Sequence, residues 1–288
     1  MRAVVLGATG FLGRALANRL EAAAYDVDRV GSAQLDLCAD GAADALARRL
    51  GRDAILVVCS ALNPPAGATL EGLRANVSMV LSVAAALEAA EVAACVYLSS
   101  AGVYGPSDDP VTERTPVQPT GCYPIAKYTG EMILQTVCTR RAIALLVLRP
   151  VAVFGPGDTH DAYGPNRFAR TAREDGRIVL FGGGEELRDH LHVDDFADYA
   201  TSLIEQRSTG VFNVASGMAR TFADVAEAIR DAASAEVRIE HAARTVAVTH
   251  RTFDTAALRD VAAEVRPADF AAALAVLLAG APARPRSL

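Results

Sequence analysis

Residues 3–13 read AVVLGATGFLG, an apolar run from Ala3 to Leu6 and then glycines at positions 7, 10 and 13. Adjacent valines in a short apolar run predict a buried strand, and the Leu- and Ala-rich stretch from Leu12 to Ala23 carries helical period. Strand, glycine turn and helix in that order make a cradle for the pyrophosphate of a dinucleotide. Gly7 permits the tight turn, Gly10 lets main chain approach the phosphates, and Gly13 lets the helix pack closely. Free N–H groups at the positive end of the helix then face the anion. Thr9, Phe11, Leu12 and Arg14 share this turn and are read with the three glycines as cofactor contacts.

The alternation continues downstream. Strands are predicted at Val27 to Val30, Ala54 to Cys59, Ala94 to Ser99 and Ala144 to Arg149, with helices at Ala42 to Leu50, Glu71 to Ala90 and Tyr123 to Arg140. Repeated strand and helix units predict an α/β fold with a Rossmann-type, doubly wound parallel sheet. After Arg149-Pro150 the texture changes to a Gly/Pro-rich segment, a helix around Asn166 to Asp175, a strand at Ile178 to Phe181 and three glycines. This reads as a smaller, discontinuous C-terminal substrate-binding region, residues 155–189 and 217–280. It lies over a dinucleotide-binding domain of residues 1–154, to which 190–216 returns as helix and strand. Residues 281–288 carry Pro and Arg without periodicity and read as a loose tail.

Composition narrows the function classes. With 288 residues, 51% of them apolar, the chain fills a core, and a net charge of −6 without any basic run argues against nucleic acid as a partner. The five cysteines, Cys38, Cys59, Cys95, Cys122 and Cys138, are odd in number and lack CxxC spacing, so they read as reduced thiols of a cytoplasmic protein without a metal site. The N-terminus opens on a strand rather than a signal peptide, and no apolar run is read as long enough to span a bilayer, so no membrane partner is expected.

An Asp or Glu about 20 residues beyond the glycine turn, at the end of the second strand, binds the ribose 2′-hydroxyl of NAD. That place holds Val30-Gly31-Ser32. With no carboxylate there to repel a 2′-phosphate, and with Arg14, Arg29 and Ser32 available to receive one, NADP(H) is the favoured cofactor and NAD(H) the alternative.

Tyr123 and Lys127 are four apart at the start of a helix, on one face of it. A free phenol, with a pKa of ~10, is a poor proton carrier at neutral pH, and a nearby ammonium is expected to pull it down. Pro124 fits a first helical turn. Ser100, at the C-terminal end of a predicted strand, lies where such sheets bind ligands and offers a hydroxyl to a substrate oxygen.

Together these segments, with Asp36-Leu37, Asn76-Val77, YLSSAGVYG, Leu148-Arg149-Pro150, VFGPGD and RDHLHVDD at 188–195, resemble the extended short-chain dehydrogenase/reductase family, in its NAD-dependent epimerase/dehydratase branch that modifies nucleotide sugars. The resemblance covers almost the whole chain. It implies that Tyr123 is the acid/base, that Lys127 orients the nicotinamide ribose and lowers the Tyr pKa, and that Ser100 completes a triad at the substrate. It places Asp36 and Leu37 at the adenine and Pro150 near the nicotinamide, adds Ser60 and Asn76 to the cofactor contacts, and gives Arg188 the diphosphate of a nucleotide sugar. A guanidinium fork suits phosphate oxygens well. Asn166 and Arg167, at a helix start, are nominated as companions at the same phosphates. The likeness also implies a homodimer through the helices at 71–90 and 123–140.

Sugar dehydratases of this family carry an Asp-Glu pair where this chain has Ala101 and Gly102, which removes the acid and base of elimination. The remaining expectation is a 4-keto sugar reductase, with a nucleotide-sugar 4-epimerase retaining NAD as the alternative. Reduction of a non-sugar ketone and a non-catalytic dinucleotide sensor are further alternatives; Arg188 argues against the first and the intact Tyr123/Lys127 pair against the second.

Overall fold

The computed structural model describes residues 1–107, 109–158, 160 and 162–280, so the predicted tail at 281–288 lies outside the described residues. Strands run in the order β1 (Arg2–Leu6), β2 (Asp26–Val30), β3 (Ala54–Val58), β4 (Ala94–Leu98), β5 (Ala144–Pro150), β6 (Ala152–Phe154), β7 (Arg177–Phe181), β8 (Leu187–His192), β9 (Gly210–Val214), β10 (Ala219–Thr221) and β11 (Arg238–Ala242). The helices are α1 (Phe11–Ala22), α2 (Ala42–Ala47), α3 (Leu70–Ala89), α4 (Cys122–Arg141), α5 (Pro165–Asp175), α6 (Val193–Glu205), α7 (Phe222–Ala232), α8 (Ala256–Val261) and α9 (Phe270–Gly280).

Six strands form one parallel sheet in the order β2-β1-β3-β4-β5-β9. The chain leaves β1 toward β2 and returns across it to β3, so the winding reverses between β1 and β3. Open α/β sheets bind ligands at such a reversal, outside the C-terminal strand ends. Successive side chains of a strand point to opposite faces, and here both faces are covered. Ala3 and Val5 pack with Leu16, Leu20, Phe196 and Leu203 of α1 and α6. Val4 and Leu6 pack with Leu46, Val83, Leu87 and Leu134 of α2, α3 and α4. Each such Leu, fully buried, contributes ~1.5–3 kcal/mol relative to exposure.

One sequence expectation is corrected here. Leu70–Ala89 is, by length and composition alone, long and apolar enough to cross a bilayer. Its apolar residues are spread by the folded context instead: Val80, Val83, Ala84 and Leu87 join the core under the sheet, and Asn76 is buried with them.

The second region has its own core. Phe168 of α5, Leu180 of β7, Phe222 and Ile229 of α7 and Leu274 of α9 are buried together. Thr221 and Asp224 close a reciprocal capping box at the start of α7, which satisfies N–H groups that the helix itself leaves open. Two small sheets, β10-β8-β6 and β11-β7, carry Arg188 and its neighbours toward the main sheet's strand ends.

Candidate active site

A cleft of about 920 Å³ runs along the C-terminal ends of β1, β3, β4 and β5, at the winding reversal. Gly7, Thr9, Gly10, Phe11, Leu12 and Gly13 line one end. Gly7 has φ of +77°, and a Cβ there would stand 2.8 Å from the Ser60 nitrogen; at Gly13 it would stand 2.2 Å from the Gly7 oxygen. Both positions therefore exclude a side chain. Gly10 caps α1 without any side-chain hydrogen bond, leaving the first helical N–H groups to a ligand. A Gly-lined turn under an open helix start fits a dinucleotide's pyrophosphate.

Ser32, Asp36 and Leu37 line the adjoining wall, and Ser60 lies across from them. Two cofactor contacts expected from the sequence are not in the cleft. Arg14 is exposed and donates to the Gly157 carbonyl at 3.4 Å. Asn76 is buried and grips the main chain of Leu62, accepting from its N–H at 2.7 Å and donating to its carbonyl at 3.0 Å, so it shapes the loop after β3 rather than touching a ligand. Arg29, the other cation considered for a 2′-phosphate, is held by Glu21 at 2.7 Å and by Asn18.

Ser100, Tyr123, Lys127 and Pro150 meet at the centre of the cleft. Ser100 follows β4, and its hydroxyl oxygen accepts from the Gly102 N–H at 3.0 Å, which leaves its proton free to donate. Tyr123 and Pro124 sit in the first turn of α4, where proline's missing N–H costs no helical bond. Lys127 is buried, donates to the Leu98 carbonyl at 2.7 Å, and lies 5.8 Å from the Tyr123 ring centroid. Gly130 lets α4 approach β4, since a Cβ there would fall 2.2 Å from the Tyr97 hydroxyl oxygen.

The electrostatics of this pair differ from the sequence expectation. Burial pushes the Tyr123 phenol up to about 12 and the Lys127 ammonium down to about 8. Desolvation penalises the charged form of each group, and at Lys127 it outweighs the opposing effect of Cys59 and Glu131. Lys127 is also the sole lysine of the sequence, against twenty-seven arginines.

At the other end, Arg188 lines the cleft, its guanidinium donating to the Thr249 carbonyl at 2.6 Å and lying 5.6 Å from the Phe222 ring. Beside it, bridged strand to strand, is Arg251, which also lines the cleft. Burial lowers the proton affinity of both, and Arg188 is lowered further by Arg251. Among the described residues neither makes an ion pair, so two half-buried cations face the cleft together. The nominated companions do not join them. Asn166 holds the Gly155 main chain, with both bonds at 2.9 Å, and Arg167 is exposed outside the cleft. Asp158 and His160 reach the rim, whereas His190 is buried away from it and held neutral, its pKa down at about 3.

The family described as "NAD dependent epimerase/dehydratase family" matches residues 3–215. The chain belongs to the NAD-dependent epimerase/dehydratase family. The family's relatives include NAD(P)-dependent enzymes, and the chain is an enzyme of this family. It is 28% identical over 286 residues to the rice protein named "Putative GDP-L-fucose synthase 2" (Oryza sativa subsp. japonica), covering 92% of this chain and 82% of that one. The structure of RMD from Pseudomonas aeruginosa with NADPH shares the fold at a TM-score of 0.83 and 24% identity, over 96% of this chain and 97% of that one. The UDP-glucose 4-epimerase of Thermus thermophilus with NAD does so at a TM-score of 0.83 and 20% identity, over 96% and 98%.

Sequence reasoning missed Arg251. Its only local signal is one more arginine among many, since its neighbour Arg188 is 63 positions away and a β-bridge brings them together. The lone lysine, in contrast, was visible: where cations are otherwise always arginine, the exception marks a place needing a compact, titratable ammonium.

Proposed function

We propose that this enzyme reduces a ketone on a nucleotide-linked sugar. The observation that carries this is that Tyr123 and the Ser100 hydroxyl line one cleft, whose far end presents Arg188 and Arg251. Two hydroxyl donors in one cleft suit a carbonyl oxygen that must gain a proton. A nicotinamide dinucleotide held by the glycine turn supplies the hydride. Ser100 positions the carbonyl, Tyr123 gives its proton to that oxygen, and the Lys127 ammonium stabilises the phenolate left behind. Arg188 and Arg251 hold the diphosphate and so fix which carbon meets Tyr123. Ala101 and Gly102 line the cleft where elimination would require carboxylates, which supports a reduction that delivers one hydride to the carbonyl carbon and one proton to its oxygen.

A second reading, a 4-epimerase working with NAD, is favoured by the adenosine end. Asp36 lines that end, while Arg14 and Arg29 are engaged elsewhere. A carboxylate at that end favours a free ribose hydroxyl over a 2′-phosphate, and on this ground we read the cofactor as NAD(H) in preference to NADP(H). The test is to supply each reduced cofactor with a nucleotide 4-keto sugar, and catalytic NAD with the corresponding 4-epimers. Stoichiometric NADH consumption supports the reductase; epimer exchange without net consumption supports the second reading. No turnover of any nucleotide sugar defeats both.

A further inference from the structure

Behind the acid/base pair lies a buried ionic cluster whose charged members, Glu131 and Arg149, do not line the cleft. Glu131 stands one turn beyond Lys127 on α4 and accepts a bidentate fork from Arg149, with Nε at 2.9 Å and Nη2 at 2.5 Å. Ser99 bonds to the same carboxylate. The remaining Arg149 nitrogen donates to the Tyr104 hydroxyl at 2.7 Å, which donates in turn to the Asn213 side-chain oxygen at 2.9 Å. All five residues are buried.

The placement matters more than the bonding. Ser99 adjoins Ser100, Arg149 adjoins Pro150, and Glu131 rides on the helix that carries Tyr123 and Lys127. Asn213 belongs to β9, the next strand of the sheet. Arg149 and Asn213 are register partners near the ends of β5 and β9, and Ser99 follows the end of β4, so the cluster adds side-chain bonds among these three strand ends and ties α4 to them. A buried ion pair is a weak source of net stability, because desolvation offsets most of the attraction, so its geometric consequence is the more telling one.

A second consequence is electrostatic. The groups facing Lys127 are Tyr123 and Glu131 on its own helix, Tyr97 of β4, whose ring lies 5.3 Å from Nζ, and Cys59 after β3. The Cys59 thiol is pushed up to about 12 by burial and stays neutral at physiological pH, as do the two phenols. Glu131 is then the one carboxylate among these groups, and it is ion-paired with Arg149.

We propose that Glu131, clamped by Arg149 and Ser99, is a positioning residue: it sets α4 in register with Ser100 and Pro150 and provides the counter-charge that keeps Lys127 an ammonium. This rests on the functional reading above for its catalytic half only. The sole lysine makes the electrostatic half readable without any substrate, because isotope-labelled lysine gives one side-chain resonance in the whole chain.

The experiment titrates that resonance in full-length wild type, Glu131→Gln and the double variant Glu131→Gln/Arg149→Met, and measures kcat, KM and cofactor affinity on the same samples. In Glu131→Gln the Lys127 midpoint should fall by about one pH unit. kcat should drop at least tenfold, while KM and cofactor affinity stay within twofold. The double variant replaces the pair by neutral groups of similar volume and protects against simple misfolding of the single one. It should recover thermal stability yet keep the lowered midpoint and the low kcat. Recovery of both midpoint and kcat with stability would show that the cluster is mere packing and overturn the proposal. So would an unshifted midpoint in folded Glu131→Gln. If wild type turns over no nucleotide sugar, the functional reading fails by itself, and the lysine midpoint still decides the role of Glu131.

Discussion

The Lys127 ammonium donates to the main-chain oxygen of Leu98 at 2.7 Å, across the gap between α4 and the last residue of β4. That bond fixes a charge at the strand end from which Ser100 is presented. It also explains why this position holds lysine in a chain that otherwise uses arginine. A guanidinium is planar, bulkier and never deprotonates, so it cannot place one compact charge against that carbonyl in a buried pocket. Lys127→Arg should fold, retain cofactor within a few-fold, and lose at least ~100-fold in kcat. Steady-state kinetics alongside cofactor titration checks this; turnover near wild type would show that any cation suffices.

Tyr123→Phe removes only the titrating oxygen. Cofactor and nucleotide-sugar affinities should hold within about threefold while turnover falls by ~10²–10⁴, the usual worth of a positioned general acid. Binding measured by calorimetry and turnover by cofactor absorbance give the two halves separately. Unchanged turnover removes Tyr123 from the mechanism.

The pH dependence follows from burial. In the cofactor-free protein Lys127 should titrate near 8, so the ammonium is complete below that and is lost as pH rises through it. An unfolded lysine keeps its proton to ~10.4, so between these values the unfolded chain binds more protons and this group makes the fold more stable as pH rises. Activity and stability should therefore move in opposite directions above pH 8. Melting temperature and kcat, followed together across that range in wild type, test the opposition, and a parallel fall of both would contradict it.

At Gly13 a Cβ would lie 2.2 Å from the Gly7 carbonyl oxygen, a main-chain atom that cannot step aside without moving the turn. Gly13→Ala should weaken dinucleotide binding at least tenfold and lower the melting temperature, whereas binding of a nucleotide sugar alone should change little. Fluorescence titration with NADH checks the first and calorimetry with the sugar nucleotide the second. Equal loss of both would mean that the substitution unfolds the domain.

The main sheet and the glycine turn were legible in sequence because each depends on local rules: alternation of side chains in a twice-covered strand, and glycines where a Cβ meets main chain. That Tyr123, Lys127 and Ser100 share one cleft was legible for the same reason, since they lie near the ends of elements whose direction was already set. What escaped depends on contacts distant along the chain. Asn76, Asn166 and Arg14 are polar residues near the right loops, yet main-chain carbonyls and N–H groups claim them before a ligand does. Arg29 is claimed by Glu21 on the neighbouring helix. The expected loosening of the Tyr123 proton failed because helical spacing predicts proximity but not desolvation. Arg251 needed a β-bridge that no local pattern announces.

Two guanidinium groups side by side, half-buried and without a carboxylate partner among the described residues, repel one another in the free protein, which adds to burial in lowering the proton affinity of Arg188. An anion with two charges relieves that repulsion, and a diphosphate fits the chemistry of a double fork better than a single phosphate does. Arg188→Ala and Arg251→Ala should each raise KM for the nucleotide sugar at least tenfold, leave NADH affinity within twofold, and weaken binding of the bare nucleoside diphosphate by the same factor as the sugar. Binding of the nucleoside monophosphate should fall by less, because it spans only one fork. The two substitutions should also be non-additive, since the first removes the repulsion that the second would have relieved. Calorimetric titration of the diphosphate into wild type, both single variants and the double variant measures every term. Strict additivity, or an equal loss of NADH binding, would show that Arg188 and Arg251 support the fold of this wall rather than grip a shared ligand.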